Sequence, residues 1–296
     1  MDLAGVTEFE RHRSKLFGLA YRMLGSAAEA EDIVQETYLR WHRATAVEKP
    51  WAWLAKVATN LSVNQLTSAR ARRENYVGSW LPEPVLTADG TLGPLDTVER
   101  RDFISLAFLM LLERLNPVER AVFVLREAFG YSHREVAEVI DSSEANSRQL
   151  HRRARQRLAD RSRPVDRHGE HTGHQTLMRG FLAAAENGDL SALEALLAED
   201  VTVWVDGGGK VRTARRPIVG ASRVARYLLG AREKSGLSMN LSMAEVNGSV
   251  GLLAVAERTL MGVLVMEAEH GKIRAIHIVA TPDKLRLSHS MDPSGS

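Results

Sequence analysis

The chain has 296 residues, of which 44% are hydrophobic and 26% charged, and its formal net charge is only +2. This length predicts two or three domains, and the small net charge excludes a globally basic nucleic-acid binder. Cysteine is absent, which excludes disulfides, thiolate zinc sites and cysteine nucleophiles. Because no apolar run could span a bilayer and the first residues lack the apolar stretch of a signal peptide, we expect a cytoplasmic protein.

Residues 9–73 carry the apolar periodicity of three consecutive amphipathic helices. The third is expected to begin at Pro50, because proline is favoured at the first helical position. We predict that the three helices pack as one small helical domain, residues 1–75.

Residues 76–97 are predicted to be a linker, because the stretch "YVGSWLPEPVLTADGTLGPLD" is broken by prolines and glycines. A purely flexible tether would not need Tyr76, Trp80 and Leu81. We therefore expect this linker to dock on another part of the protein.

Helical periodicity returns in residues 98–162, where Ser132 to Leu158 reads as a short helix, a polar turn and a longer helix. This is the layout of a helix-turn-helix, although two ordinary helices of a bundle would give a similar pattern. The longer helix carries side chains that suit base edges and phosphates. They are Glu144, Asn146, Arg148, Gln149, Arg152 and Arg153.

A second linker is expected at residues 163–173, followed by a domain over residues 174–288 and a disordered tail at 289–296. Two short helices come first, then the alternating strand "VTVWV", a helix near 221–234 and four further alternating runs. Helices grouped before a run of strands predict an α+β domain with a curved antiparallel sheet.

The segment "DIVQETYLRW" at residues 32–41 places acids and a glutamine on the polar face of the second helix. Together with the third helix and the helix-turn-helix, it resembles the extracytoplasmic-function sigma factors over residues 9–73 and 98–158. The resemblance implies binding to core RNA polymerase, at its β′ clamp and β flap, and to promoter DNA. It assigns the core-binding role to Asp32, Ile33, Val34, Gln35 and Glu36.

The same resemblance assigns DNA contacts to both helical domains. The third helix would melt and read the minus-ten element, and the loop at 44–49 before it would take up an unstacked base. The implied minus-ten residues are Asn60, Asn64, Arg70, Arg72 and Arg73. The six residues of the longer helix named above would read the minus-thirty-five element.

Three further motifs are similar to the SigJ-like subgroup, which carries a fused SnoaL-like (NTF2-like) C-terminal domain. They are "YVGSWLPEPV", "DGGGK" and "TPDKL", the last with Thr281 where the subgroup usually has asparagine. This resemblance implies regulation in cis by the fused domain, with no separate anti-sigma factor required. The implied regulatory contacts are Trp80, Leu81, Pro82, Asp206, Gly207, Gly208, Gly209, Lys210, Pro282, Asp283 and Lys284.

The glycines of "DGGGK" do not form a phosphate-binding loop, because Lys210 is followed by Val211 and no helix is predicted after it. Consecutive glycines let another chain segment approach closely. We predict a contact loop for the linker or the sigma domains, with a charged hydrogen bond from Asp206 or Lys210. The alternative is a plain mobile loop.

Two other functions remain as alternatives. SnoaL-like domains include cyclases and isomerases, but no carboxylate–histidine pair can be placed from the sequence. A one-component repressor would lack the "DIVQE" segment. A small-molecule ligand near Trp204 and His277 is left open. No cofactor and no metal are expected, since His168 and His171 lie in the predicted linker and His174 directly follows it, without cysteine partners.

Overall fold

The structure is a computed structural model that describes residues 3–44, 47–74, 76–87, 103–159, 170–235 and 239–285. The chain divides into two compact units. The described parts of residues 1–75 and 87–163 form the helical unit, and those of residues 76–86 and 164–296 form the C-terminal unit. In the described ranges, no helix has the length and apolarity that crossing a membrane requires.

The helical unit contains the predicted helices in the predicted order. Helices of this unit begin at side-chain caps such as Ser26, Ser105, Asn116 and Ser132, and the caps at Asn116 and Ser132 are complete capping boxes. The helices are α1 (Leu3–Leu24), α2 (Ala27–Arg43), α3 (Pro50–Glu74), α4 (Leu106–Leu112), α5 (Pro117–Glu127), α6 (His133–Val139) and α7 (Glu144–Ala159).

Polar contacts join the early and late helices inside this unit. The buried Arg120 of α5 donates from Nη1 to the carbonyl oxygen of Met23 in α1, at 2.7 Å. Lys56 of α3 donates to the carbonyl oxygen of Glu138 at 2.9 Å and pairs with Asp141 in the turn between α6 and α7. The helix-turn-helix is therefore fixed against the bundle of α1 to α3.

The C-terminal unit has the predicted α+β architecture, with one six-stranded sheet in the order β2-β1-β6-β5-β4-β3. Its elements are α8 (Glu170–Asn187), α9 (Leu190–Leu196), β1 (Leu197–Asp206), β2 (Ile218–Val219), α10 (Ala221–Ser235), β3 (Asn240–Val246), β4 (Ser249–Ala256), β5 (Thr259–Glu269) and β6 (Lys272–Val279).

Two details of this unit differ from the sequence prediction. The sheet is mixed, because β1 pairs parallel with β6, while the other strand pairs are antiparallel. The long connection between these two strands, which includes α10, permits the parallel pairing. In addition, α8 begins at Glu170, inside the predicted linker 163–173.

Strand alternation gives the sheet two different faces. Val203, Val205 and Ile276 belong to the apolar core that includes Met178 and Phe181 of α8. The residues that alternate with them along the strands, among them Trp204, Asp206 and His277, point to the opposite face. Asp206 ends β1 and begins the glycine loop, so it lies at the edge where that loop leaves the sheet.

Candidate functional site

The first part of the predicted linker, residues 76–86, lies on the C-terminal unit and is called here the docked linker. It contains no helix, and its one ladder contact is an isolated bridge between Leu86 and Val246 of β3. Leu81 is fully buried and Val85 is 6% exposed. The hydrophobic residues of this segment therefore anchor it, as a docking linker requires.

Asp206 is the centre of the polar contacts that hold the docked linker. Its side chain is completely buried, yet its two carboxylate oxygens accept hydrogen bonds from five donors. The donors are Tyr76 Oη (2.6 Å), the Leu81 amide (2.9 Å), Lys284 Nζ (2.7 Å), Thr281 Oγ1 (2.7 Å) and the Gly208 amide (3.0 Å). Two of these donors come from the linker, so one carboxylate joins three separate chain segments.

This network shifts the pKa of both acidic groups in it. Burial alone would raise the pKa of Asp206, but the charge of Lys284 and the hydrogen bonds from Lys284, Tyr76 and Leu81 outweigh burial and lower it. Burial and the hydrogen bond to Asp206 raise the pKa of Tyr76 well above its ordinary value. The ionised Asp206 therefore stabilises docking above about pH 4, and this stabilisation is lost as the pH falls through its lowered pKa.

Lys284 supplies the positive charge from the turn that follows β6. It ends a short 3-10 helix, Pro282–Lys284, and its Nζ also donates to the carbonyl oxygen of Leu81 at 2.6 Å. The same atom lies 4.5 Å from the ring centroid of Trp80 and 5.0 Å from that of Tyr76. Two linker aromatic rings thus face a desolvated ammonium group, which is a favourable cation–π arrangement.

The glycine loop leaves room for the linker. Gly208 and Gly209 have φ angles of +59° and +72°, in the left-handed region that favours glycine. A Cβ on Gly208 would lie 2.6 Å from Thr281 Cγ2 and 3.2 Å from Tyr76 Oη, and one on Gly209 would lie 3.2 Å from Val77 Cβ. A Cβ on Gly207 would meet Thr213 Oγ1 at 2.4 Å. The loop contacts the linker through backbone that has no space for side chains.

The remaining predicted regulatory residues surround this network. Pro82 is buried in the docked linker. Lys210 pairs with Asp283 at 2.6 Å, but both side chains are more than half exposed, so this ion pair contributes little stability. Thr281, in the position where the subgroup usually has asparagine, supplies a hydroxyl donor to Asp206.

A second anchor of the linker was not predicted from the sequence. Val85 donates its amide to Asn247 Oδ1 at 3.0 Å, and its carbonyl oxygen accepts from the Asn247 amide at 2.9 Å. Asn247 is fully buried and has a φ of +51° in the β3–β4 turn. The Asn-Gly pair at 247–248 signals a hairpin turn, but nothing local indicates that its side chain binds the linker.

The predicted polymerase-binding residues of α2 divide into two sets. Asp32 and Gln35 are exposed, and Glu36 forms an ion pair with Arg40 at 2.8 Å. Ile33 and Val34 are 7% and 2% exposed, because the helical repeat turns them into the core of the unit. They pack inside the unit, and the core-binding role of the five residues stays a prediction.

The predicted minus-ten residues lie along α3. Asn60 is half-buried and Asn64 is exposed. Arg70, Arg72 and Arg73 belong to the last part of this helix by their backbone, but their side chains lie outside the described structure. Residues 45 and 46 of the loop expected to take up a base are also outside the described ranges.

The predicted minus-thirty-five residues lie along α7. Arg148, Gln149, Arg152 and Arg153 are exposed, whereas Ser147 is fully buried and turns the opposite face inward. At the start of the helix, Glu144 pairs with Arg148, and Asn146 Nδ2 donates to Ser142 Oγ at 2.8 Å. The helix presents a row of cationic side chains to solvent, as phosphate and base contacts require.

His277 does form a pair with a carboxylate, which the sequence did not indicate. Its Nε2 lies 2.6 Å from Glu267 Oε1, and its ring stacks on Trp204. The pair lies on the sheet face opposite the helix-packed core, so it does not face a cavity between helices and sheet. Among the described residues, no group of three or more histidines and carboxylates is placed to hold a metal ion.

Comparisons with known proteins place both helical regions in one family. Residues 9–72 match the family Sigma-70 region 2, and residues 105–158 match Sigma-70, region 4. The chain is 38% identical to the ECF RNA polymerase sigma factor SigJ of Mycobacterium tuberculosis, over 94% of this chain and 92% of that protein. It is 36% identical to the "Probable ECF RNA polymerase sigma factor SigI" of the same species, over 93% and 92%.

A solved structure covers nearly the whole chain. The crystal structure of M. tuberculosis SigJ matches with a TM-score of 0.74 and 37% identity, over 94% of this chain and 97% of that one. The match therefore includes the α+β unit as well as both helical regions, which confirms the predicted fold class. The chain belongs to the extracytoplasmic-function sigma factors, the RNA polymerase subunits that direct promoter-specific transcription initiation.

Proposed function

We propose that the C-terminal unit regulates this sigma factor in cis by holding the docked linker, and that release of the linker accompanies promoter engagement. The single observation that carries the proposal is the buried Asp206, which accepts hydrogen bonds from Tyr76 and Leu81 of the linker. The linker connects the helices of region two to those of region four, so its docking constrains both DNA-reading regions.

Distances on the promoter explain why docking matters. The minus-ten and minus-thirty-five elements lie about 25 base pairs apart, roughly 85 Å along straight DNA at ~3.4 Å per base pair. Residues 76–86 span roughly 35–40 Å when fully extended. Fixing this segment on the C-terminal unit removes part of the tether that allows the two regions to separate, so the docked state restrains initiation.

The free energies of the contacts around Asp206 favour linker docking that is stable but reversible. Removing one partner of a buried ion pair costs about 3–5 kcal/mol, because the other charge is left desolvated. Lys284 and Asp206 are such a pair, with side-chain exposures of 13% and 0%. Release of the linker would leave this pair intact but exposed to water, and it would break the hydrogen bonds from Tyr76 and Leu81, so polymerase and promoter contacts would have to offset the free energy of those linker contacts.

The surfaces proposed for those partners are the exposed ones. Asp32, Gln35 and Glu36 would contact the β′ clamp of the polymerase, and region four would contact its β flap. Arg148 and Gln149 would read the minus-thirty-five element. The regulating segment belongs to the same chain, which supports regulation without a separate anti-sigma factor.

The test is transcription in vitro with purified core polymerase and full-length protein. Asp206→Asn keeps the side-chain size but removes the charge that holds Lys284, and Asp283→Asn is the matched control at an exposed pair. We expect Asp206→Asn to raise the rate of open-complex formation, and Asp283→Asn to leave it unchanged. An unchanged rate for Asp206→Asn, with the linker demonstrably released in hydrogen exchange, would overturn the proposal.

A further inference from the structure

A dense cationic segment of the C-terminal unit begins in the glycine loop that contacts the docked linker and continues into α10. Residues 207–232 contain seven lysines and arginines and no aspartate or glutamate, in a chain whose net charge is only +2. They are Lys210, Arg212, Arg215, Arg216, Arg223, Arg226 and Arg232. Such a local imbalance attracts anions even where the whole protein is nearly neutral.

Five of these arginines are exposed, and none of the five has a carboxylate partner among the described residues. Arg212, Arg215, Arg216 and Arg223 are exposed and form no ion pair within the described residues, while Arg226 bonds only to Ser222. Elsewhere in the described structure, many arginines pair with an acid, as Arg274 does with Glu269. The four guanidinium groups are therefore available to an external anion.

The arginines come from two segments that lie together. The loop 212–216 leads through the two-residue strand β2 directly into α10, so Arg215 and Arg216 lie within eight residues of Arg223 along the chain. Arg223 and Arg226 are three residues apart and share one face of α10. Loop and helix thus form one surface, called here the arginine surface, defined by Arg212, Arg215, Arg216, Arg223 and Arg226.

The position of Arg223 favours a polyanion as the partner. It lies in the first turn of α10, where the positive end of the helix dipole disfavours a cation by about 0.3–1 kcal/mol. A bound phosphate would reverse this cost, since it would meet both the guanidinium group and the helix end. Arginine is also the side chain best suited to phosphate, through its planar set of donors.

We propose that the arginine surface binds the phosphate backbone of duplex DNA, so that the C-terminal unit adds sequence-independent contacts to those of the two sigma regions. The chain acts at promoters, which supplies a duplex polyanion at high local concentration. None of its side chains belongs to the hydrogen-bond network of Asp206, although the backbone of Arg215 lies beside the docked linker, 3.8 Å from where a Cβ on Gly78 would be.

The test is the salt dependence of binding by full-length protein to a labelled mixed-sequence duplex, measured by fluorescence anisotropy between 50 and 200 mM KCl. The variant combines Arg212→Gln, Arg215→Gln, Arg216→Gln and Arg223→Gln. Each lost phosphate contact reduces the slope of log K against log[salt] by about 0.9, so we expect a decrease of about 3–4 and at least a tenfold loss of affinity at low salt.

The matched control combines Arg179→Gln and Arg258→Gln, two exposed arginines of the same unit outside the arginine surface. We expect this control to bind as the wild type does. Hydrogen exchange at Leu81 must remain slow in both variants, which separates this proposal from the docking of the linker. An unchanged slope in the quadruple variant overturns the proposal, and so does weaker association with core polymerase at unchanged slope, since that result assigns the surface to a protein.

Discussion

The docked linker and the helix α7 are both segments that the sequence marks as functional, but they carry their functional groups in opposite ways. In the linker, Tyr76 and the Leu81 amide donate hydrogen bonds to the buried carboxylate of Asp206. On α7, Arg148, Gln149 and Arg152 are exposed to solvent. The buried contacts of the linker stabilise the folded protein itself, whereas the exposed side chains of α7 are available to bind an external partner.

The substitution with the largest expected effect on linker docking is at Asp206. Asp206→Ala leaves Lys284 desolvated without its carboxylate, and we expect a loss of about 3–5 kcal/mol in the free energy of linker docking. Hydrogen exchange of the Leu81 amide measures this loss. The control Asp283→Ala removes an exposed pair of similar length and should cost less than about 1 kcal/mol. Equal effects of the two substitutions would contradict the importance given to burial.

Gly208→Ala is the next largest change expected. The new Cβ meets Thr281 at 2.6 Å in a backbone with a φ of +59°, so both strain and a clash oppose it, at about 2–4 kcal/mol together. Gly271→Ala is the matched control, because Gly271 has a φ of +72° and nothing within 4 Å of the added atom. Denaturation of the two variants separates strain from clash, and equal losses of stability would count against close contact with the linker.

Arg148→Ala tests the role of the exposed side chains of α7. If Arg148 reads a base, its loss should cost about 1–3 kcal/mol on promoter DNA and relax specificity at one position. Linker docking should not change, because the residue lies in the helical unit on an exposed face. Binding to promoter and scrambled duplexes is the measurement, and an equal loss on both would assign Arg148 to phosphate only.

Asn247→Gly compares the two anchors of the linker, at Val85 and at Leu81, and has the smallest expected effect. Glycine keeps the positive φ of the turn but removes the oxygen that accepts from the Val85 amide, at a cost of about 1 kcal/mol. Exchange of the Val85 amide should become faster while that of Leu81 stays slow. If both amides accelerate together, the two anchors are not independent.

The sequence indicated much of the fold because its signals are local. Apolar periodicity located the helices of both sigma regions, and Pro50 marked the start of α3 as found. The docking of the linker followed from large apolar residues such as Leu81 in a segment unable to form regular structure. The glycine loop followed from the need for close backbone approach, which Gly208 and Gly209 provide.

What the sequence did not indicate depends on contacts between distant segments. The convergence of Tyr76, Lys284 and Thr281 on Asp206 joins positions up to 208 residues apart, from Tyr76 to Lys284. No local pattern distinguishes the buried Asn247 from an ordinary hairpin asparagine. Ile33 and Val34 were assigned to a contact surface by position in a motif, although the helical repeat itself places them in the core.

Hydrogen exchange of the Leu81 and Val85 amides, in full-length protein alone and in its complex with core polymerase and promoter DNA, tests the central claim most directly. The account predicts slow exchange in the free protein, because both amides are bonded to buried side chains, and much faster exchange in the complex. Equally slow exchange in both states would contradict it.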